Sequence, residues 1–159
     1  ATVGKIYGME RSSKSGLGVC ALEVGALQVA AIVVVNALGD ICNPENGEKL
    51  TGLKTEDGTG FADSREALYT ISKRATLFNS NTTIGVVITN GEFTKGEMNK
   101  LAAMTRNAYA RCIRPVGTMA DGDTIYAASV GTVQADINTT GVLMAEAMER
   151  AIMRAVEMA

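Results

Sequence analysis

Ser80-Asn81-Thr82-Thr83-Ile84-Gly85-Val86-Val87-Ile88-Thr89 runs from polar residues straight into a short apolar strand. Read as a strand, Ile84 to Thr89 opens a βαβα unit that fills the second half of the chain. The polar-to-apolar boundary falls on Thr82. The chain contains no histidine, so its own residues cannot form a Ser-His-Asp or Cys-His pair. A Thr at the start of a chain needs no imidazole, because its α-amine serves as base for its hydroxyl. That amine has a reference pKa of about 7.7–8.0, close to neutral working conditions. Cleavage ahead of Thr82 would create such a pair. The same residues also describe a loop feeding a buried strand, and residue types alone leave both readings open.

The chain has 159 residues, enough for a single domain (1–159) with a real core. Net charge is −2 and the basic residues are scattered, with four Tyr, three Phe and no Trp to stack bases, so no nucleic-acid partner is expected. The longest apolar run, Val29 to Val35, is too short to span a bilayer, and no membrane partner is expected. No segment reads as a signal peptide, and the cysteine usage reads as that of a reduced, cytoplasmic protein. Cys20, Cys42 and Cys112 are odd in number and widely spaced. They form neither a disulfide framework nor a zinc motif and read as reduced packing residues. No metal and no cofactor is expected. The opening Ala1-Thr2-Val3-Gly4-Lys5 reads as an entry into the middle of something, which suggests a truncated or processed chain.

Outward from the central strand, Gly16–Val24 and Leu27–Val35 flank Gly25-Ala26 and predict a β-hairpin. The density of β-branched residues in its second strand predicts burial on both faces. Residues 36–63 read as loop, with a short strand near Leu50–Leu53. Ser64 is expected to cap a helix running to Leu77, and Phe78 to Asn81 to form a polar linker. Thr94-Lys95-Gly96-Glu97 has capping-box spacing and predicts a helix to about Ile113, stopped ahead of Pro115. Thr124 to Val130 predicts a strand. Asn138 or Thr139 is expected to cap a last helix to about Met158, with Glu146, Arg150, Arg154 and Glu157 as its solvent stripe. Its wide apolar remainder must be covered by a sheet or another subunit, and points to a homo-oligomer.

Three other places could carry chemistry. Asp121-Gly122-Asp123 precedes a strand, where it could bind a metal, orient an amine or simply form a turn, and no other acidic cluster accompanies it to favour the metal. Asn36 ends the apolar strand and could satisfy backbone groups or direct an amide N–H at a developing oxyanion. Lys5 lies in no complete phosphate loop and reads by default as a surface charge.

Several ordered blocks together resemble one family. They are Ala1-Thr2-Val3-Gly4-Lys5, Val33-Val34-Val35-Asn36-Ala37-Leu38-Gly39-Asp40, Asn81-Thr82-Thr83-Ile84, Ile88-Thr89-Asn90, Asp121-Gly122-Asp123-Thr124-Ile125-Tyr126-Ala127 and the closing segment from Asn138 to Val156. This pattern resembles the DmpA-type self-processing aminopeptidases and nylon-oligomer hydrolases, which are N-terminal nucleophile hydrolases. The resemblance covers essentially the whole chain, which would correspond to the C-terminal half of a longer precursor.

It implies an α+β fold, part of a four-layer α-β-β-α sandwich of the DmpA and ornithine acetyltransferase-like type. It implies self-cleavage between Asn81 and Thr82, giving 1–81 and 82–159 with an exposed, flexible leader ahead of the cut. Thr82 would then be the nucleophile of an aminopeptidase or amidase, with a small peptide or amide as substrate. Asn36 would be the oxyanion donor and Lys5 a cation beside the nucleophile. Asp121 and Asp123 would position the Thr82 amine or the substrate. The resemblance also implies that a missing N-terminal portion or partner chain completes the site. Two alternatives are an acyltransferase on the same scaffold, where an amine takes the acyl group, and a non-catalytic fragment acting in assembly.

Overall fold

A computed structural model describes residues 1–71 and 81–159. Its centre is a four-stranded sheet in the order β3-β4-β7-β9. Strand β3 (Leu17–Val24) and β4 (Leu27–Val34) form the expected hairpin around Gly25-Ala26. β4 then pairs antiparallel with β7 (Ile84–Gly91), which pairs parallel with β9 (Thr124–Val133). A parallel pair needs a crossover. Here it runs through α2 (Lys95–Thr105), α3 (Asn107–Cys112) and β8 (Ile113–Arg114) before entering β9. The last helix, α4 (Ile137–Glu157), completes the βαβα unit.

Strand alternation decides which residues meet the helices. Val29, Ala31 and Val33 of β4 and Val87 of β7 are buried, in one cluster with Met144, Met148, Ala151 and Ile152 of α4. Among the described residues, the other sheet face carries exposed side chains. Leu17, Val34 and Ile84 lie in one cross-strand row, and Val19, Ile32 and Tyr126 belong to the next; all six are exposed. β4 is therefore buried on one face rather than two, because the helices cover only that side. At this central sheet the described residues thus place one helical layer on one sheet layer, in a mixed α+β arrangement.

Helix boundaries differ from expectation where a local acceptor competes. Asp136, not Asn138 or Thr139, caps α4: its carboxylate accepts the Thr139 N–H at 2.7 Å. The Thr94–Glu97 capping box forms as expected. Its helix breaks at Arg106, one residue after Thr105 turns its hydroxyl back onto the Leu101 carbonyl at 2.9 Å, a contact that bends helices. α1 (Ser64–Thr70) is capped by Asp63 and ends by Ile71, short of Leu77; residues 72–77 of that expected helix lie outside the described residues.

Ser64 is instead one of the partners of Asp40, which is 2 % exposed. The Asp40 carboxylate accepts the Leu53 amide at 2.8 Å and the Ser64 amide and hydroxyl at 2.9 and 2.6 Å. It also pairs with Lys49 Nζ at 2.8 Å. This hub ties α1 and the loop near Leu53 to a small sheet of β6 (Lys49–Thr51), β5 (Asp40–Cys42) and β8. A further pair, β1 (Thr2–Val3) with β2 (Ser13–Lys14), carries Lys5 at its exit. The strand expected at Leu50–Leu53 is β6, slightly earlier. All three cysteines are buried and unbridged. No described helix is long and apolar enough to cross a membrane.

Candidate active site

The sheet topology gathers the candidate residues. β4 runs antiparallel to β7, so the end of β4 lies beside the start of β7; β9 runs parallel to β7, so its start lies there too. Asn36 follows β4, Thr82 precedes β7, and Asp121 and Asp123 precede β9. Residues distant in sequence therefore meet where these three strands end or begin, at one end of the sheet. Lys5 joins them because its backbone amide donates to Leu38 O at 2.9 Å.

The bond between Asn81 and Thr82 is held from both sides. The Thr82 amide donates to Asn36 O at 2.8 Å, and the Thr83 amide donates to Asp123 Oδ1 at 2.8 Å. The Asn81 carbonyl accepts the Gly122 amide at 2.8 Å and the Thr82 hydroxyl at 2.7 Å. The Thr82 hydroxyl therefore rests on the carbonyl oxygen of the residue before it. Asn81 is 1 % exposed and forms a parallel bridge with Asp121; Thr82 is half-buried and Gly122 is exposed. The leader was expected to be exposed. Its last residue, Asn81, is buried, and the stretch 72–80 lies outside the described residues.

Lys5 is 1 % exposed rather than a solvated charge. Its Nζ donates to Asn36 Oδ1 at 2.9 Å and to Asn36 O at 3.3 Å. Burial lowers its pKa, and the charge of Asp121 acts in the opposite sense. Asn36 Oδ1 also accepts the Thr2 amide at 3.2 Å, which turns the oxygen of that side chain toward Lys5 and β1. Asn36 O in turn accepts from both Lys5 Nζ and the Thr82 amide, linking the buried lysine to Thr82.

The two carboxylates differ. Asp121 Oδ2 accepts the amide and hydroxyl of Thr118 at 2.9 and 2.7 Å, closing a turn over residues 118–121. Asp123 faces Thr83. Burial raises the Asp123 pKa and Asp121 adds to the rise, whereas the hydrogen bond from the Thr83 amide opposes it. Beneath them Tyr109 is 2 % exposed, and its hydroxyl lies 3.4 Å from Thr83 O and 3.3 Å from Thr124 O. Burial, with the Asp123 charge adding, raises the pKa of this phenol and keeps it a neutral donor.

Tyr109, Thr118 and the Gly122 amide were not singled out from sequence. The Thr118-to-Asp121 spacing signals a side-chain-closed turn. A backbone N–H leaves no residue-type signal, and Tyr109 looks like any helix-face aromatic.

Comparison with known proteins places the chain among its relatives. The chain is 34 % identical over 125 residues to an uncharacterised aminopeptidase of Mycobacterium leprae, covering 77 % of this chain and 34 % of that protein. It is 28 % identical over 147 residues to a 6-aminohexanoate-oligomer endohydrolase of a Kocuria species, covering 88 % of this chain and 39 % of that protein. The chain thus spans between a third and two-fifths of the length of these curated relatives. Its fold matches the solved L-aminopeptidase D-Ala-esterase/amidase of Ochrobactrum anthropi, described as a variant of the Ntn hydrolase fold, with a TM-score of 0.57 at 15 % identity, over 89 % of this chain and 40 % of that one. Residues 3–159 match the model of Peptidase family S58, and the chain belongs to that family.

Proposed function

We propose that this chain carries the nucleophile of a self-processing amide hydrolase, with Thr82 as the nucleophile. The observation that carries the reading is the Thr82 hydroxyl donating at 2.7 Å to the Asn81 carbonyl, across a bond clamped by Asn36, Asp123 and Gly122. In processing, Thr82 Oγ1 adds to the Asn81 carbonyl carbon and the C=O electron pair moves to oxygen. The carbon–nitrogen bond then breaks, and the hydroxyl proton ends on the departing Thr82 nitrogen. This leaves an ester of Asn81 on Thr82. Water opens the ester, giving an Asn81 carboxylate and a Thr82 with free hydroxyl and amine.

The freed amine takes the Thr82 hydroxyl proton as substrate is attacked. Asn36 serves the oxyanion, and Lys5 keeps a positive charge beside it. Asp121 and Asp123 set the loop that faces the new terminus. Two carboxylates near an amine raise its pKa, so their role is orientation and proton handling. The names of the relatives, an aminopeptidase and an oligomer endohydrolase of 6-aminohexanoate, support a small peptide or linear amide as substrate. The working enzyme includes polypeptide corresponding to the rest of those relatives, which covers the exposed sheet face, and it assembles as a homo-oligomer and acts in the cytoplasm.

Intact-mass measurement tests the reading. The parent is expected as two pieces, 1–81 and 82–159, and Thr82→Ala as one. A Thr82→Ala chain that still splits at this bond removes the mechanism. Turnover of an amino-acid amide, unchanged by an added acceptor amine, marks a hydrolase; diversion of the acyl group to that amine marks the acyltransferase alternative.

A further inference from the structure

The self-cleavage reading assigns a nucleophile but leaves open what stabilises the charge that forms on Asn81 while its own bond breaks. We propose that the backbone N–H of Gly122 is the oxyanion donor of the processing step, delivered by the 118–122 turn. This rests on the self-processing reading and deepens it.

Two donors reach Asn81 O: the Thr82 hydroxyl at 2.7 Å and the Gly122 amide at 2.8 Å. They behave differently as the reaction proceeds. The hydroxyl must turn its lone pair to the carbonyl carbon and give up its proton, so its own hydrogen bond is lost. The Gly122 amide is fixed in the backbone and keeps its aim. As the carbonyl oxygen becomes an alkoxide, this contact becomes a charge-assisted bond, roughly twice as strong as a neutral one. That differential, stronger in the transition state than in the ground state, is what accelerates a reaction.

The turn is built to hold the amide there. Asp121 Oδ2 accepts both the amide and the hydroxyl of Thr118, and the Asp121 amide donates to Thr118 O at 3.1 Å. On the far side, the Thr124 amide donates to Thr83 O at 3.0 Å and Asp123 accepts the Thr83 amide. Gly122 is thus bracketed by bonds on both sides of the scissile peptide. Its lack of a side chain is part of the fit. A Cβ on Gly122 would lie 2.8 Å from Thr82 Oγ1, closer than Cβ atoms tolerate, so any other residue pushes on the nucleophile.

A backbone ester at residue 122 tests the inference, made by nonsense suppression with glycolic acid in cell-free synthesis. It replaces the N–H with oxygen and adds no bulk. The expected result is self-cleavage slowed by about 10²–10³-fold, the loss seen when one oxyanion donor is removed, while circular dichroism shows the parent fold. Parent-rate cleavage in the folded ester chain overturns the Gly122 assignment and leaves the self-processing reading intact. A parent chain that never cleaves overturns both. Should the ester chain fail to fold, NMR on the whole Thr82→Ala chain decides. A through-hydrogen-bond coupling between Gly122 N and the Asn81 carbonyl carbon supports the assignment, and its absence overturns it.

Discussion

Gly85 and Tyr109 should be energetically coupled, and the coupling reports how tightly the floor of the site is packed. A Cβ at Gly85 would lie 2.6 Å from the Tyr109 hydroxyl and 2.8 Å from Met148 Cε. Ordinary contact begins near 3.4 Å, so the overlap with the hydroxyl is severe. Met148 ends in a flexible thioether and can yield. Tyr109 cannot swing away without leaving Thr83 O and Thr124 O. Gly85→Ala should therefore cost about 1–3 kcal/mol of over-packing, reduced by a few tenths because Ala restricts the unfolded chain. Tyr109→Phe keeps the ring and removes two long hydrogen bonds, a loss of about 1 kcal/mol. In the double variant the missing hydroxyl makes room for the new methyl. Its cost should approach that of Tyr109→Phe alone, a coupling of about 1–2 kcal/mol. Urea unfolding of all four chains in the Thr82→Ala background, which keeps each whole, measures it through the midpoints at constant slope. Additivity within about 0.5 kcal/mol would refute the packing argument.

Further outcomes follow from the buried charges. Asp40→Ala strips one carboxylate from Lys49, Leu53 and Ser64. It should cost about 3–5 kcal/mol in urea unfolding, and a loss below about 1 kcal/mol would show the hub to be dispensable. Lys5 has its folded pKa lowered beneath the ordinary 10.5. Between those two values the unfolded state binds more protons, so stability should rise with pH through that window. Lys5→Met should flatten this rise in a pH series of unfolding midpoints, and an equal rise in both chains contradicts the assignment. Asp123 behaves in the opposite sense, with its folded pKa raised above 3.8. Between 3.8 and the raised value the folded state binds more protons, so stability should fall as pH rises there, and Asp123→Asn should abolish that fall.

What was legible in the sequence was local. The Gly25-Ala26 hairpin, the Thr94–Glu97 box and the parallel β7 and β9 around a helical crossover follow from patterns a few residues long. What failed needed tertiary knowledge. Ile32 and Val34 look as apolar as Val33, yet which face a helix covers is set by α4 far along the chain. Asp136 rather than Asn138 caps α4, and residue preference could not choose between them because Asp and Asn cap about equally well. Lys5 looked like a surface charge because the residues that bury it lie beyond its own neighbourhood in sequence. The grouping of Lys5, Asn36, Asp121 and Asp123 came from family resemblance, and periodicity alone would not have assembled it. The Gly122 amide had no signature, since its placement depends on the long-range bridge between Asn81 and Asp121.

The central claim is that cleavage turns Thr82 into a residue bearing a hydroxyl and a free amine on adjacent carbons. Periodate oxidises that grouping to an aldehyde, which an aminooxy probe then captures. Mass analysis after this treatment should find one probe, on the piece beginning at residue 82, in the parent and none in Thr82→Ala. A parent chain that stays whole and takes no probe would contradict the account.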